Sequence, residues 1–472
     1  MALSDSPLRD LVEAPILERV LHEALRRGGD FAEVFVEDGS SSSILLDDRK
    51  VEQLSTGRDR GAGIRVVVDE TTGFAHTADL SEAGLLSAAR AAAAVARETG
   101  GGVRTLALSR QSPERQRVAT PPGMVAKSDK VDLLLRADDA SRSFGGAIVQ
   151  VSAAYGDSRR RILVANSDGL LADDDRVRTR FSVTCVASGD SGMQTGSESL
   201  AYTLGYEVFD EQPVEHVAEK AARRAIGKLE ARPAPSGVLP VVLKCGSGGI
   251  LFHEACGHGL EADHILKDSS VFTGRIGQTV ASPGVTLVDD GAFGPNWGTL
   301  AIDDEGRPAQ RNVLIQDGVL TEYMWDYLRA RKEGRASSGN GRRQSYEHLP
   351  MVRMTNTFLL AGGEDPDEIL AQTPKGIYVA KLGGGQVNTA TGDFVFGMTE
   401  AYLIEDGRIA EPLRSANLIG NGPDVLSKID AIGNDFEMSS GACGKHGQSV
   451  AVGCGQPTLR VTGMTIGGTA GA

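Results

Sequence analysis

The run His253-Glu254-Ala255-Cys256-Gly257-His258 gathers two imidazoles and a carboxylate in one short segment, the side chains from which a hydrolytic metal site is built. In the H-E-x-x-H pattern, histidines at i and i+4 share a helix face and bind zinc, while the glutamate acts as general base on the bound water. Here the second histidine comes at i+5. At about 100° per residue, a regular helix would leave the two imidazoles roughly 140° apart around its axis, too divergent to share an ion. An i→i+5 turn reduces that divergence, and single-turn π-bulges occur mostly at functional sites. Gly257 and Gly259 flank the second histidine and give the backbone the freedom such a turn needs. The spacing therefore predicts a widened or broken turn over 253–258. A regular helix through His258 would reduce the motif to two ordinary histidines near a helix end.

A hydrolytic zinc site takes three protein ligands and leaves one position open, so a third donor is required. Glu261, Asp263, Asp268 and His264 follow the motif closely, whereas Cys443, His446 and Cys454 are remote. Cys443 lies in Gly441-Ala442-Cys443-Gly444-Lys445-His446-Gly447, a turn-prone stretch in which a short thiol side chain can approach an ion. Lys445 would favour its thiolate. Cys256 should point away from both imidazoles and serve packing. The residues alone leave the third donor open, and an inert turn thiol is the plain alternative for Cys443.

A metal site needs rigid elements beneath it. The β-branched run Val238–Leu243, the glycine-rich Gly246–Gly249 and the histidine motif read as strand, loop and helix. Downstream, 313–316, 378–381, 394–396 and 401–405 read as strands, with Asp317-Gly318 and Asp406-Gly407 as hairpin turns. Upstream, helices are expected at 15–27, 81–98 and 214–232, the second with Ser81 as N-cap. Strands are expected at 31–37, 43–46, 64–68, 147–153, 161–164 and 178–187, with a turn at Asn166-Ser167-Asp168-Gly169. Pro233-Ala234-Pro235-Ser236-Gly237 is the best boundary. The expected fold is α+β in two domains, an N-terminal mixed domain over 1–233 and a β-rich domain over 234–472 that carries the histidine motif. Gly61-Ala62-Gly63 and Gly383-Gly384-Gly385 continue into no phosphate-loop fingerprint and read as turns.

At 472 residues the chain exceeds a single core. A net charge of −14 argues against a nucleic-acid surface, although Arg342 and Arg343 could form a local basic patch. No stretch approaches 18 apolar residues and the N-terminus lacks a signal-peptide pattern, so no membrane role and a cytoplasmic location are expected. Five cysteines without CxxC spacing argue against a disulfide framework.

The run Phe252–Glu261 closely resembles the TldD/PmbA family of metallopeptidases, in its TldD-like subunit. The resemblance continues through Leu300–Gly306, Gly339–Arg343, Arg353–Thr357, Gly383–Val387, Gly444–Gln448 and Val452–Leu459, with a looser match over 30–170. It implies Zn2+ held by His253, His258 and Cys443, with Glu254 as catalytic carboxylate and Cys454 outside the ligand set. Two imidazoles and a thiolate would leave the centre at formal charge +1, and Glu254 would carry the water's proton to the leaving amine. His348 is a possible substrate-binding helper, its plain alternative a hydrogen-bonded structural histidine. The resemblance also implies peptides or unfolded protein segments as substrate, for maturation or degradation. A heteromer with a catalytically inactive TldE/PmbA-like homologue is implied, or else a homo-oligomer. An extended peptide adding to a sheet edge would suit such a role. A cysteine hydrolase using Cys443 with His446, and a noncatalytic regulatory binding protein, are the competing readings.

Overall fold

Phe31–Asp47 (β1) and Lys50–Val68 (β2) form one long antiparallel hairpin, closed by Asp48 and Arg49 at φ 47° and 70°. Two successive positive φ values make the primed turn whose twist matches that of the flanking strands. This computed structural model describes residues 11–69, 71–95, 107–111, 113–414 and 416–467. Thr71–Thr77 (β3), Ser109–Gln111 (β4), Ile148–Asn166 (β5), Leu170–Gly189 (β6) and Gly192–Tyr202 (β7) complete a sheet of order β3-β2-β1-β5-β6-β4, with β7 also on β6. The short strands expected at 31–37 and 43–46 are thus one element, as are those at 147–153 and 161–164. In β1 the connecting residues Gly39–Ser42 are solvated and carry none of the alternation that marks a half-buried strand, and in β5 the polar run Asp157–Arg160 interrupts it.

Alternation across the strands divides the sheet into two faces. Ala32, Val34, Val36, Ile44 and Leu46 of β1 face the helices Ala14–Leu25, Glu82–Ala92, Lys127–Arg142 and Val214–Gly227. Ser81 Oγ accepts from Gly84 N–H as the expected N-cap, and a 3-10 turn over Ala93–Val95 follows that helix. The rest of the expected 81–98 helix lies outside the described residues. On the other face Glu33, Phe35 and Glu37 meet the C-terminal half.

That half contains β8 (Gly237–Leu243), β9 (Leu287–Asp290), β10 (Arg311–Gln316), β11 (Val319–Leu320), β12 (Gly341–Arg342), β13 (Met351–Val352), β14 (Asn356–Leu359) and β15 (Lys375–Val387). It ends with β16 (Asp393–Glu405), β17 (Arg408–Leu413), β18 (Ala416–Asn421), β19 (Ile429–Ile432), β20 (Glu437–Lys445), β21 (Gln448–Gln456) and β22 (Leu459–Gly467). One sheet runs β11-β10-β9-β14-β21-β20 and another β15-β8-β22-β18-β16-β17, with β19 on β22, while β12 and β13 form a short pair. Most pairs are antiparallel, and a large apolar core including Leu243, Phe252, Leu359 and Phe396 holds these strands to the histidine segment. The α+β expectation therefore holds.

A buried ionic seam joins the halves. Arg65 bonds Glu33 and Glu305, Arg176 bonds Asp174 and Asp304, and Arg343 bonds Glu33, all nearly free of solvent. The expected basic patch at Arg342 and Arg343 does not exist, because both side chains are buried and spent on carbonyl and carboxylate partners. Gly61 and Gly63 are not turn residues either. They lie within β2 where Tyr346 crosses it, and a Cβ on Gly61 would fall 2.3 Å from the Tyr346 ring.

Candidate metal centre

From β8 the chain passes through a 3-10 turn at Ser247–Gly249 and a short α-turn at Ile250–Phe252 into a π-helical turn over His253–Gly257. His258 N–H donates to His253 O, the i→i+5 bond that the histidine spacing predicts. The two imidazoles consequently converge, with ring centres 4.8 Å apart and planes at 83°. Cys256 points away, its thiol donating to Phe252 O at 3.2 Å.

The widened turn is clamped from outside. Gly422, at the start of the helix Gly422–Ser427, lies so close that a Cβ there would sit 2.0 Å from Ala255 O. Backbone cannot yield as a flexible side chain would, so Gly422→Ala should push on the π-turn itself. We expect a loss of about 1–3 kcal/mol in stability together with weaker metal binding. Chemical denaturation and metal titration of the same variant would check this, and an unchanged metal affinity would show the turn to be insensitive to the clamp.

Cys443 reaches the site from β20. The β20–β21 hairpin turns at His446 and Gly447, with φ 48° and 76°, again the primed geometry. Arg353, fully buried, donates to the carbonyls of Cys443 and Gln448 and ties the two strands together from beneath. Cys443 Sγ then lies 3.2 Å from His253 Nε2 and 3.4 Å from His258 Nε2. The three donor atoms fall within 4.8 Å of one another. In a tetrahedron with zinc–sulfur near 2.3 Å and zinc–nitrogen near 2.0–2.1 Å, such nitrogen and sulfur atoms would be about 3.5 Å apart. The donor set fits a zinc ion.

The surroundings orient the set. His258 Nδ1 donates to Glu261 Oε2 at 3.0 Å, leaving Nε2 for the sulfur side. Lys445 Nζ binds Glu261 Oε2 at 2.8 Å, Asp263 Oδ1 at 2.7 Å and Val352 O at 3.2 Å. Lys445 therefore does not attend the thiolate, as its place in the sequence suggests. It neutralises the carboxylates that hold His258, and its ammonium occupies the only other gathering of possible ligands among the described residues, Glu261, Asp263 and His264. Burial resists charge on Glu261, but Lys445 and His258 outweigh it and hold the carboxyl well below its usual range.

Without an ion the trio shares protons. Burial disfavours a charged Cys443, yet His253 and His258 outweigh it and draw the thiol down to about 4. Burial likewise opposes protonation of His258, but Glu261 and the Cys443 sulfur push it up to about 9, and His253 is raised well above its ordinary value by the thiols against it. At neutral pH the thiolate is thus preformed while both imidazoles hold protons that an ion must displace. Metal uptake should release up to about two protons per ion near pH 7, with affinity rising as pH climbs toward about 9. Calorimetry in buffers of different ionisation enthalpy measures that release, and none at all would contradict this charge arrangement.

The Glu254 side chain, half-buried on the same turn, makes no hydrogen bond within the chain among the described residues, and burial raises its carboxyl. His348 is elsewhere, its Nδ1 2.9 Å from Ser345 Oγ, with no contact to the trio. His446 is exposed at the hairpin tip and makes no bond to Cys443. Cys454 borders His253 but lies outside the converging group. Arg353 and the orienting role of Lys445 escaped the sequence reading, because only the folded hairpin shows what they touch.

Comparison with known proteins shows the family to which the chain belongs. PmbA/TldA metallopeptidase domain 1 matches residues 32–96, the central domain of that family 120–229 and its C-terminal domain 236–468. A Haemophilus influenzae protein named metalloprotease TldD homolog is 40% identical over 94% of each chain. A zinc metalloprotease TldD homolog of Saccharolobus solfataricus is 33% identical over 62% of this chain and 66% of its own. The crystal structure of TldE from Thermococcus kodakarensis superposes with TM-score 0.77 at 20% identity, covering 96% of this chain and 100% of that one.

Proposed function

Since this chain belongs to the PmbA/TldD family and is a metallopeptidase, we propose that it is a zinc-dependent hydrolase of extended or unfolded peptides, for maturation or degradation. The observation that carries the proposal is the convergence of His253 Nε2, His258 Nε2 and Cys443 Sγ beside a free carboxylate, Glu254. Bound there, zinc would supply a Lewis acid and make a water acidic enough to ionise near neutral pH. Glu254, with no internal partner, accepts the attacking water's proton and hands it to the departing amine. Its burial makes it a stronger base than an exposed glutamate. Glu261, backed by Lys445, keeps His258 in one tautomer and orientation.

The edge strand supports an extended mode of substrate binding. β20 pairs only with β21, so its outer edge offers unpaired backbone groups, and it carries Cys443. A cleft of about 380 Å³ lies along that edge, bordered by Ser439, Ser440, Tyr202 and Trp297. An extended peptide hydrogen-bonded to β20 would run toward the metal with little demand on its side chains. The second subunit would be a homologue without the histidine motif, or another copy of this chain. The free thiols, Cys185, Cys245, Cys256, Cys443 and Cys454, suit a reducing cytoplasm, and no helix among the described residues is long and apolar enough to cross a membrane.

The test is metal quantification alongside cleavage of an unfolded peptide, with and without the homologous partner. Stoichiometric zinc whose removal abolishes cleavage supports the proposal. Activity that survives chelation but dies on alkylation would sink it in favour of a thiol hydrolase.

A further inference from the structure

The helix Val214–Gly227 buries Val214, Ala218, Ala221, Ala222 and Ala225 in the core beneath the N-terminal sheet. The neighbouring stripe of His216, Lys220, Arg223 and Arg224, at i, i+4, i+7 and i+8, shares one helix face and lines the cleft beside β20. The first residues of β20, Glu437 to Ser440, line the same cleft. They precede Cys443 by three to six residues, about 10–20 Å of extended strand.

Five lysines and arginines line this cleft against three carboxylates, an excess of two positive charges in a chain of net charge −14. Arg224 bonds Glu198 at 3.2 Å and Glu400 at 2.5 Å, and Lys381 bonds Glu198 at 2.5 Å. Those four groups neutralise one another and tie the helix to β7, β15 and β16. Arg223 is shared with Glu219 at 2.7 Å and lies over the Phe144 ring. Lys244 and Glu437 oppose each other, acting with opposite sign on the Cys245 thiol. Lys220 is different. It is exposed on the cleft wall, and its ammonium has no ion pair or hydrogen bond among the described residues.

We infer that this wall, through Lys220, makes the cleft selective for acidic peptides, those with Asp or Glu three to six residues from the cleaved bond. The inference rests on the peptide-cleft reading above. Backbone bonds to an edge strand are the same for every extended peptide and discriminate among none. A fixed charge beside that strand does discriminate, attracting carboxylates and repelling lysine and arginine side chains without touching the reacting atoms.

The test is a set of unfolded peptides with both termini blocked, in which a single Glu, Gln or Lys is moved through the positions on either side of the cleaved bond. In the zinc-loaded full chain, Glu three to six residues from that bond should lower KM about fivefold relative to Gln, with kcat unchanged. The advantage should vanish near 1 M salt, where the screening length falls to about 3 Å. Lys220→Gln should remove most of it, and Lys220→Glu should reverse it, so that the Lys peptide becomes the preferred one. Lys375→Gln removes an exposed cation outside the cleft and should leave the preference as it is. Equal KM for Glu and Gln at every position, or a preference for Glu that persists in Lys220→Glu, overturns the inference.

Binding of the same peptides, dye-labelled, to Glu254→Gln protein by fluorescence anisotropy gives a readout independent of turnover. Should wild type cleave none of them while the Glu forms bind more tightly and lose that advantage in Lys220→Gln, the selective cleft stands and the peptidase reading falls. Cleavage of all with equal KM leaves the peptidase and removes the selectivity.

Discussion

Replacing Glu254 by glutamine should abolish peptide cleavage while leaving metal content unchanged. The side chain makes no hydrogen bond within the chain among the described residues, so its loss breaks no internal network. Burial already disfavours its charge, so a neutral isostere is no strain on the fold. What is lost is proton transfer, a contribution worth about 10²–10⁴ in rate. The fall should appear in kcat, with KM little changed, because glutamine fills the same volume at the same place. Steady-state kinetics on metal-quantified protein measures it. Retention of more than about a tenth of wild-type activity would remove Glu254 from the chemistry.

Cys443→Ser should do the opposite: the metal is lost first, and activity with it. Serine offers no anion at neutral pH, whereas the thiol is ionised down to about 4 beside His253 and His258. Affinity should drop by more than the roughly 10–100-fold that loss of an outer orienting group costs. The effect has a second signature in stability. An ion present at about 100 times its Kd stabilises the folded chain by about 2.7 kcal/mol, so chelation should lower the wild-type melting temperature and leave that of Cys443→Ser unmoved. A serine variant that still binds zinc stoichiometrically after dialysis would show that the thiol is not a ligand. That outcome would direct attention to Cys454, which borders the same imidazole.

The π-turn was legible because its signal is local: an i+5 spacing between two imidazoles and glycines at both sides of the second. Cys443 was not legible in the same way. Its place beside the imidazoles depends on a hairpin 185 residues downstream, and the resemblance to a family, rather than residue types, singled it out. Lys445 illustrates the limit. One-dimensional proximity suggests that it serves the thiol two residues away, and strand alternation even puts both on one face, yet the folded chain sends its ammonium to Glu261 and Asp263. Arg342 and Arg343 looked like surface charge for the same reason, since nothing in a sequence shows which carbonyls will surround a guanidinium. Strand lengths in the N-terminal sheet escaped because β1 and β2 extend as a solvated ribbon, where hydroxyl, glycine and charged residues replace the apolar alternation on which recognition depends.

The distance along the chain between the imidazoles and the sulfur also bears on when the protein becomes dangerous to its maker. At about 5–20 residues per second, a ribosome needs about 10–40 s to pass from His258 to Cys443. Throughout that interval the emerging polypeptide has two of the three converging donors and no β20. If its substrates are unfolded segments, as proposed, the enzyme is thereby disarmed for as long as it is itself one, and its own nascent chain is out of its reach.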